Sequence, residues 1–266
     1  MGPSNAILID TPLSPLNATA VSTWLTQQLS PKNITLQYIY LTHGHGDHFF
    51  GIPTILSHFP NTTVIATPGT VAHVAEQLTP ASLDGFWKPF FPDLIVPQTE
   101  IFVPLPDDGL FTLDGFELRA IEVGQTDTFS STVLHVPSLS MVVAGDAVYG
   151  SCFQYLQETS TAELRAEWLR ALLLIEQLEP EIVIPSHRQE FDDFSIHNID
   201  RTREYLRSWE VEVLDTAALS ITDPGEQRTE LFRRMSAVFP ERVGDFIFEL
   251  SALAAFPGNG SGNSTF

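Results

Sequence analysis

Short apolar runs alternate with longer amphipathic segments in the first third of the chain. The apolar runs predict strands at residues 6–9, 38–41 and 63–66. The amphipathic segments between and after them predict helices at residues 17–29, 49–59 and 70–78. Strands that alternate with helices in this way are typical of a sheet covered by helices.

The pattern changes in the middle of the chain, where strand-like runs follow one another with turns between them. Asp-Gly pairs at residues 108–109 and 114–115 are typical of hairpin turns, so this part reads as a mostly antiparallel meander. Its predicted strands are residues 101–105, 111–113, 116–121, 132–136 and 141–144.

The last third of the chain is mainly helical. A helical period covers residues 161–178, a strand follows at residues 182–184, and helix dominates from about residue 196. Two sheets with flanking helices predict an α/β fold, with a four-layer αββα sandwich as the natural packing. We expect one domain over residues 1–256, with a C-terminal helical part at about 196–256 and a flexible tail at 257–266.

The charge of the chain argues against several classes of partner. Its 266 residues include 13 basic and 33 acidic side chains, which give a formal net charge of −20. Nucleic acids and anionic membranes favour basic patches, so neither is an expected partner. The sequence has no apolar run of membrane-spanning length and its first residues lack the pattern of a secretory signal, so we expect a cytoplasmic location.

Four side chains that can bind metals lie within six residues, directly after the predicted strand at 38–41. They are His43, His45, Asp47 and His48. Imidazole and carboxylate are the usual ligands of zinc, iron and manganese, and the intervening glycines let alternate side chains converge. Histidines also occur in loops without a chemical role, but four clustered candidates favour a metal site.

Two further candidates follow predicted strands in the same way. Asp146 comes after residues 141–144, and His187 comes after residues 182–184. Open α/β sheets place their sites beyond the carboxyl ends of their strands. We therefore expect Asp146 and His187 to belong with the first cluster.

These motifs resemble those of the metallo-β-lactamase-fold superfamily. Residues 43–48 match its His-x-His-x-Asp-His motif, and Gly145-Asp146 and Pro185-Ser186-His187 match its later metal motifs in order and spacing. The resemblance covers about residues 6–190 and implies the αββα fold.

The resemblance also implies a set of metal ligands. One metal would be bound by His43, His45 and a third residue. A second metal would be bound by Asp47, His48 and His187, with Asp146 bridging the two ions.

The third ligand of the first metal falls by position on Gln125, in the loop at residues 122–128. An amide oxygen is a weaker zinc ligand than imidazole, so this site is expected to bind its metal weakly or to be empty. Asp127 is the less favoured substitute, because an aspartate at this point is more typical of a turn. We expect one or two Zn²⁺ ions, with iron or manganese as alternatives.

The chain begins almost on the strand at residues 6–9, whereas family members usually carry further strands before it. The resemblance therefore predicts either that N-terminal strands of the first sheet are lacking or that the sequence is truncated. An exposed sheet edge would favour a homodimer.

The ligands predict a metal-dependent hydrolase in which a metal-bound hydroxide attacks the carbonyl of a lactam, lactone, ester or thioester. Asp47 would orient the attacking water and accept its proton. Two other interpretations are open. The chain is a metal-poor pseudoenzyme that serves as a binding module, or it is a lyase that uses the metal only as a Lewis acid.

An aromatic stretch is a candidate for the pocket that binds a small-molecule substrate. Residues 86–92 contain Trp87, Phe90 and Phe91, and Tyr149 follows Asp146. These rings would suit a pocket for an apolar or aromatic natural product of secondary metabolism. For residues 86–92, the alternative is that the rings fill the space between helix and sheet.

The remaining candidates are expected to be structural. Cys152, the single cysteine, excludes an intramolecular disulfide and a thiolate zinc cluster and is expected to be inert. Asp192 and Asp193 resemble the start of a helix. The other histidines are expected to be structural or surface residues: His58, His73, His135 and His197.

Overall fold

A computed structural model describes residues 1–96, 98 and 102–258. Ile101 of the predicted strand 101–105 and residues 259–266 of the predicted tail lie outside the described residues. The chain divides into two compact units, the first of residues 1–123 and 129–145 and the second of residues 124–128 and those from 146 onward. The expectation of one domain stays a prediction.

The first sheet of the first unit has four parallel strands in the order β1-β2-β3-β4. They are β1 (Asn5–Ile9), β2 (Thr35–Tyr40), β3 (Thr63–Ala66) and β4 (Phe102–Pro104). The prediction that the β4 segment belongs to the antiparallel meander is wrong, because β4 pairs with β3 in the parallel sheet. The chain crosses over after β3, so that Ile65 pairs with Val103 in parallel register.

The second sheet of the first unit contains β5 to β8 in sequence order. These strands are β5 (Leu110–Leu113), β6 (Phe116–Gly124), β7 (Ser131–Val136) and β8 (Met141–Val143). The β5–β6 and β7–β8 pairs are antiparallel, as predicted. Asp114 and Gly115 form the β5–β6 turn with φ values of 52° and 83°, a conformation that aspartate tolerates and glycine favours.

Among the described residues of the first unit, six segments are α-helical. They are α1 (Pro15–Leu29), α2 (Gly46–Phe49), α3 (Ile52–His58), α4 (Pro68–Gln77), α5 (Pro80–Ser82) and α6 (Lys88–Phe90). Ser14 caps α1 and Thr67 caps α4, each just before a proline in the first turn, which is why both helices start earlier than predicted. The helix predicted at 49–59 is instead two helices, separated where Gly51 passes so close to Pro12 that a Cβ would lie 2.3 Å from its carbonyl oxygen.

Two apolar cores fix the layers of the first unit. One core lies between the first sheet and helices α1, α3 and α4, and includes Ile39, Phe50 and Ile55. The other contains Tyr40 and Ile65 of the first sheet together with residues of the second sheet such as Leu134. The predicted α/β class, with two sheets and covering helices, is confirmed.

The second unit is mainly helical. Its elements are α7 (Ala162–Glu176), β9 (Ile182–Ile184), α8 (His197–Ala217), α9 (Pro224–Val238) and α10 (Asp245–Ala255). Phe248 of α10 packs against the rings of Phe153, Trp209 and Phe232, with centroid separations of 5.1 to 5.5 Å. Among the described residues, no helix combines the length and the apolar character needed to cross a membrane.

Asp192 and Asp193 do not start a helix, contrary to expectation, because α8 begins at His197. Asp192 is buried and accepts hydrogen bonds from the backbone N–H groups of Ser151 and Gln189 at 2.8 and 2.7 Å. The carboxylate therefore holds two loops together. Burial raises its pKa, but its hydrogen bonds, that from the Ser151 hydroxyl first, lower the pKa by more.

Asp114 connects the N-terminal strand to the β5–β6 turn by hydrogen bonds. Its carboxylate accepts from the backbone N–H groups of Ser4 and Asn5 at 2.7 and 2.8 Å and from the Asn5 amide at 2.6 Å. These bonds, that from Ser4 first, lower the pKa of Asp114.

Asp114→Asn should lower the urea midpoint at pH 7, since the amide replaces one acceptor oxygen by a donor while tolerating the same φ.

The pH dependence follows from the direction of the shift. A carboxylate whose pKa is depressed on folding contributes stability above its unfolded pKa of about 3.9, and that contribution is lost as the pH falls through the folded pKa. The difference between parent and Asp114→Asn should therefore shrink below about pH 4. Asp107→Asn, an equal charge change at an exposed position, is the control. Equal midpoints for parent and Asp114→Asn at pH 7 would contradict the assignment.

Candidate metal centre

The segment His43–His48, here called the metal loop, brings three imidazoles together at the carboxyl end of β2. The ring of His43 lies 4.9 Å from that of His45 and 4.1 Å from that of His48, centroid to centroid. All three side chains are buried, and Asp47 Oδ2 lies 3.7 Å from His48 Nε2. The predicted cluster of four metal-capable side chains is thus present in the first unit.

The two glycines of the metal loop are needed for packing. Neither is among the residues with positive φ, so the expected use of glycine flexibility is not what the structure shows. A Cβ on Gly44 would lie 2.5 Å from Cγ of His73, and a Cβ on Gly46 would lie 2.0 Å from the ring of Phe50. Any larger residue would push these side chains away.

Asp10, which the sequence analysis did not select, organises the metal loop. It follows β1 and accepts hydrogen bonds at 2.9 Å from Thr42 N–H, at 2.8 Å from Thr42 Oγ1 and at 2.9 Å from His48 Nδ1. A signal was available, because β1 and β2 are adjacent parallel strands whose carboxyl ends meet at one edge. An aspartate directly after β1 therefore lies beside the start of the metal loop.

These bonds decide the tautomers of two histidines. His48 donates its Nδ1 proton to Asp10, so its Nε2 carries the lone pair. Thr42 Oγ1 donates its one hydrogen bond to Asp10 and lies 3.0 Å from His43 Nδ1. Toward His43 the hydroxyl oxygen can therefore only accept, so His43 also donates from Nδ1. A histidine oriented through one ring nitrogen, often by a carboxylate, coordinates metal through the other, so His43 and His48 fit a metal site.

A second group of predicted ligands lies in the second unit. Asp146 is buried in the turn Gly145–Ala147, and its Oδ2 lies 3.0 Å from His187 Nε2. The same carboxylate accepts from Tyr149 Oη at 2.6 Å and from Ser186 Oγ at 2.5 Å. Several polar neighbours therefore hold this buried negative charge in one orientation.

The predicted substrate rings are placed differently from one another. Tyr149 is 1 % exposed, donates to Asp146 and stacks on His187 at 5.1 Å, so it supports two predicted ligands instead of lining a pocket. Trp87 is 5 % exposed and packs in the first core against Phe50, which favours the space-filling alternative for that ring. Phe90 and Phe91 are half-buried beside Phe86 and Trp87.

Both candidates for the third ligand, Gln125 and Asp127, lie in residues 124–128 of the second unit. Gln125 is half-buried, and its amide nitrogen donates to Thr159 Oγ1 at 3.0 Å and to the carbonyl of Glu158 at 3.3 Å. Asp127 is fully buried, and its Oδ1 accepts from Thr126 Oγ1 at 2.9 Å. The Gln125 amide thus ties the loop to residues 158–159, while the Asp127 carboxylate is enclosed.

The four remaining histidines differ in how far their side chains are buried. His58 and His197 are exposed, as expected of surface residues, and His135 is half-buried, with desolvation lowering its pKa. His73 is fully buried in α4, and its ring centroid lies 5.6 Å from that of His45. It is therefore a neighbour of the metal loop, which sequence spacing did not reveal because 28 residues separate the two histidines.

Comparison with known proteins gives the following matches. A family model described as the metallo-beta-lactamase superfamily matches residues 2–187. The lactamase-like protein nscB of Aspergillus fumigatus is 28 % identical over 236 residues, which cover 86 % of this chain and 56 % of that protein. A metallo-beta-lactamase family protein of Thermus thermophilus aligns with a TM-score of 0.66 at 19 % identity, covering 96 % of this chain and 84 % of that one.

A metallo-beta-lactamase from Pontibacter korlensis aligns with a TM-score of 0.59 at 19 % identity, covering 78 % of this chain and 84 % of that one. Likeness at this identity shows the fold alone, and it confirms the fold that the motifs implied. The chain spans only 56 % of the length of the fungal relative.

The role of Asp10 can be tested by zinc binding. Asp10→Asn keeps the shape and suits the φ of 56°, but it replaces the carboxylate that orients His48 and Thr42 by a neutral amide. Loss of such an outer partner should weaken zinc affinity about 10- to 100-fold, measured by competition with a chromophoric chelator. Asp93→Asn, at an exposed aspartate with φ of 61°, should leave the affinity unchanged. Unaltered affinity in Asp10→Asn would overturn the role.

Proposed function

Because the chain belongs to the metallo-beta-lactamase superfamily, we propose that it is a metal-dependent hydrolase that acts on a carbonyl substrate. The observation that carries the proposal is the orientation of His43 and His48, whose Nδ1 protons are held by Thr42 and Asp10. Such outer contacts serve to present Nε2 to a metal.

The proposed ligands follow the family pattern residue by residue. His43 and His45 would bind one metal together with a third residue, and Asp47, His48 and His187 would bind a second, with Asp146 bridging. Imidazole and carboxylate donors suit zinc, while iron and manganese are the alternatives. When bound, the metal supplies Lewis acidity and makes water a nucleophile near neutral pH.

For the third ligand of the first metal, we propose Asp127 in place of Gln125. The Gln125 amide nitrogen is engaged with Glu158 and Thr159, which gives this side chain a structural task. Asp127 is a fully buried carboxylate, and buried carboxylates are held by hydrogen bonds, opposite charges or metals. A carboxylate oxygen is also the stronger zinc ligand, so the first site need not be weak.

The chain's own residues supply the proton chemistry. Asp47 is 30 % exposed at its side chain, so solvent reaches a carboxylate that lies beside His48. We assign to it the orientation of the attacking water and the acceptance of its proton at a carboxylate oxygen. Tyr149 and Ser186 keep Asp146 in place as a ligand throughout.

The substrate we propose is a small molecule with an apolar or aromatic acyl group, as a lactam, lactone, ester or thioester. Phe129 supports this, because it is 41 % exposed and its ring lies 4.2 Å from that of His73, which in turn contacts His45. An exposed aromatic ring near the metal loop suits an apolar substrate. The net charge of −20 does not favour nucleic acid.

Metal content tests the ligand assignment. Elemental analysis of protein never exposed to chelator should give about two zinc ions per chain for the parent, as the two-site pattern requires. Asp127→Ala should hold about one, and Gln125→Ala should still hold about two. Loss of a metal in Gln125→Ala but not in Asp127→Ala would restore glutamine as the ligand. A parent without tightly bound metal would contradict the hydrolase and favour a binding module.

Hydrolysis is tested with heavy-oxygen water and a panel of aryl lactones, esters, thioesters and lactams. One ¹⁸O atom should enter the acid product, whereas a lyase would incorporate none. Asp47→Asn should lower kcat about 100- to 10,000-fold, because the amide cannot accept the proton. Asp93→Asn is the control, and metal content is measured for each variant. Full activity of Asp47→Asn would exclude the proposed role.

A further inference from the structure

A chain of three buried or half-buried side chains runs from the first core to the metal loop. Trp87 donates its indole N–H to Gln77 Oε1 at 2.7 Å, and Gln77 Nε2 lies 3.2 Å from His73 Nε2. Gln77 and His73 are one turn apart on α4 and therefore share a helix face. All three residues belong to the first unit.

The hydrogen-bond chemistry of this chain permits one tautomer of His73. An indole N–H can only donate, so the Gln77 atom facing Trp87 must be the oxygen. The other end of the amide is then NH₂, which donates to His73 Nε2. Because His73 Nε2 accepts this hydrogen bond, it carries the lone pair, and the neutral ring carries its own proton on Nδ1.

The protonated edge of His73 faces the metal loop. A Cβ on Gly44 would lie 2.5 to 2.6 Å from Cγ, Cβ and Nδ1 of His73, so this edge of the ring packs on the Gly44 backbone. The ring also meets His45 at 5.6 Å with an interplanar angle of 65°. Phe129 lies against His73 at 4.2 Å, and the ring cannot turn without displacing one of these neighbours.

We propose that His73 is a positioning residue for the metal loop, held as the Nδ1–H tautomer by a relay of Gln77 and Trp87. Its ring fixes the Gly44 backbone and the plane of His45, and thereby the direction in which His45 meets its metal. This inference rests on the proposed function, since it requires that His45 bind a metal. Trp87, considered for the substrate pocket, instead acquires a role at the far end of this relay.

The test replaces the amide of Gln77, which both donates and accepts hydrogen bonds, by a carboxylate of nearly the same shape that only accepts them. In Gln77→Glu the carboxylate still accepts from Trp87, but it now accepts from His73 as well, so a proton moves to His73 Nε2. Gln27→Glu, the same substitution at an exposed position of α1, is the matched control. Circular dichroism and the urea midpoint confirm that each variant is folded.

Two measurements are made on the zinc-loaded protein and its variants. Two-dimensional ¹H–¹⁵N spectra of the histidine rings should assign Nδ1–H to His73 in the parent and in Gln27→Glu, and a protonated Nε2 in Gln77→Glu. Chelator competition should show zinc affinity at least about tenfold weaker in Gln77→Glu alone. An Nε2–H tautomer in the parent, or unchanged affinity in Gln77→Glu despite a moved proton, would overturn the relay.

The outcomes separate this inference from the proposed function. A parent that binds zinc and hydrolyses its substrate while Gln77→Glu behaves identically would overturn the relay and leave the hydrolase intact. A parent that binds no zinc would overturn both. Weaker zinc binding in Gln77→Glu with the tautomer change supports the relay whichever carbonyl substrate is used.

Discussion

Thr42 is the residue through which both sheets of the first unit hold the metal loop. Its backbone N–H and hydroxyl donate to Asp10 beyond β1, and its carbonyl accepts from the N–H and hydroxyl of Thr132 in β7. Thr42 is fully buried, so each of these polar groups would cost free energy if left without its partner. The metal loop begins at the next residue, and its direction follows from this anchor.

The elements and the motif were predictable because they depend on local sequence. Strand β3 and strand β9 have the predicted bounds, since short apolar runs between polar segments have few alternatives. The metal-loop histidines were recognisable because three of them lie within six residues directly after a predicted strand. Strand β4 was misplaced because the sheet that a strand joins depends on a crossover, which the local pattern does not record.

The supporting residues could not be found in that way. Asp10 and His73 lie 38 and 25 residues from His48, and single residues at such distances carry no periodic signal. Gly44 was identified as special for the wrong reason, since a close approach of His73 was needed to explain it. Proton positions are decided by the groups that can only donate or only accept, here the Trp87 indole and the Asp10 carboxylate. Such networks exist only in three dimensions.

Contacts within the second unit join residues that are far apart in the sequence, which affects when each contact can form during synthesis. Ser251 of α10 accepts from the N–H of Leu156, 95 residues earlier, and Phe248 completes the aromatic cluster of that unit. The anchors of the metal loop, by contrast, are all made once Thr132 has been synthesised. On the ribosome, all residues that anchor the metal loop are therefore synthesised well before Ser251, the hydrogen-bond partner of Leu156.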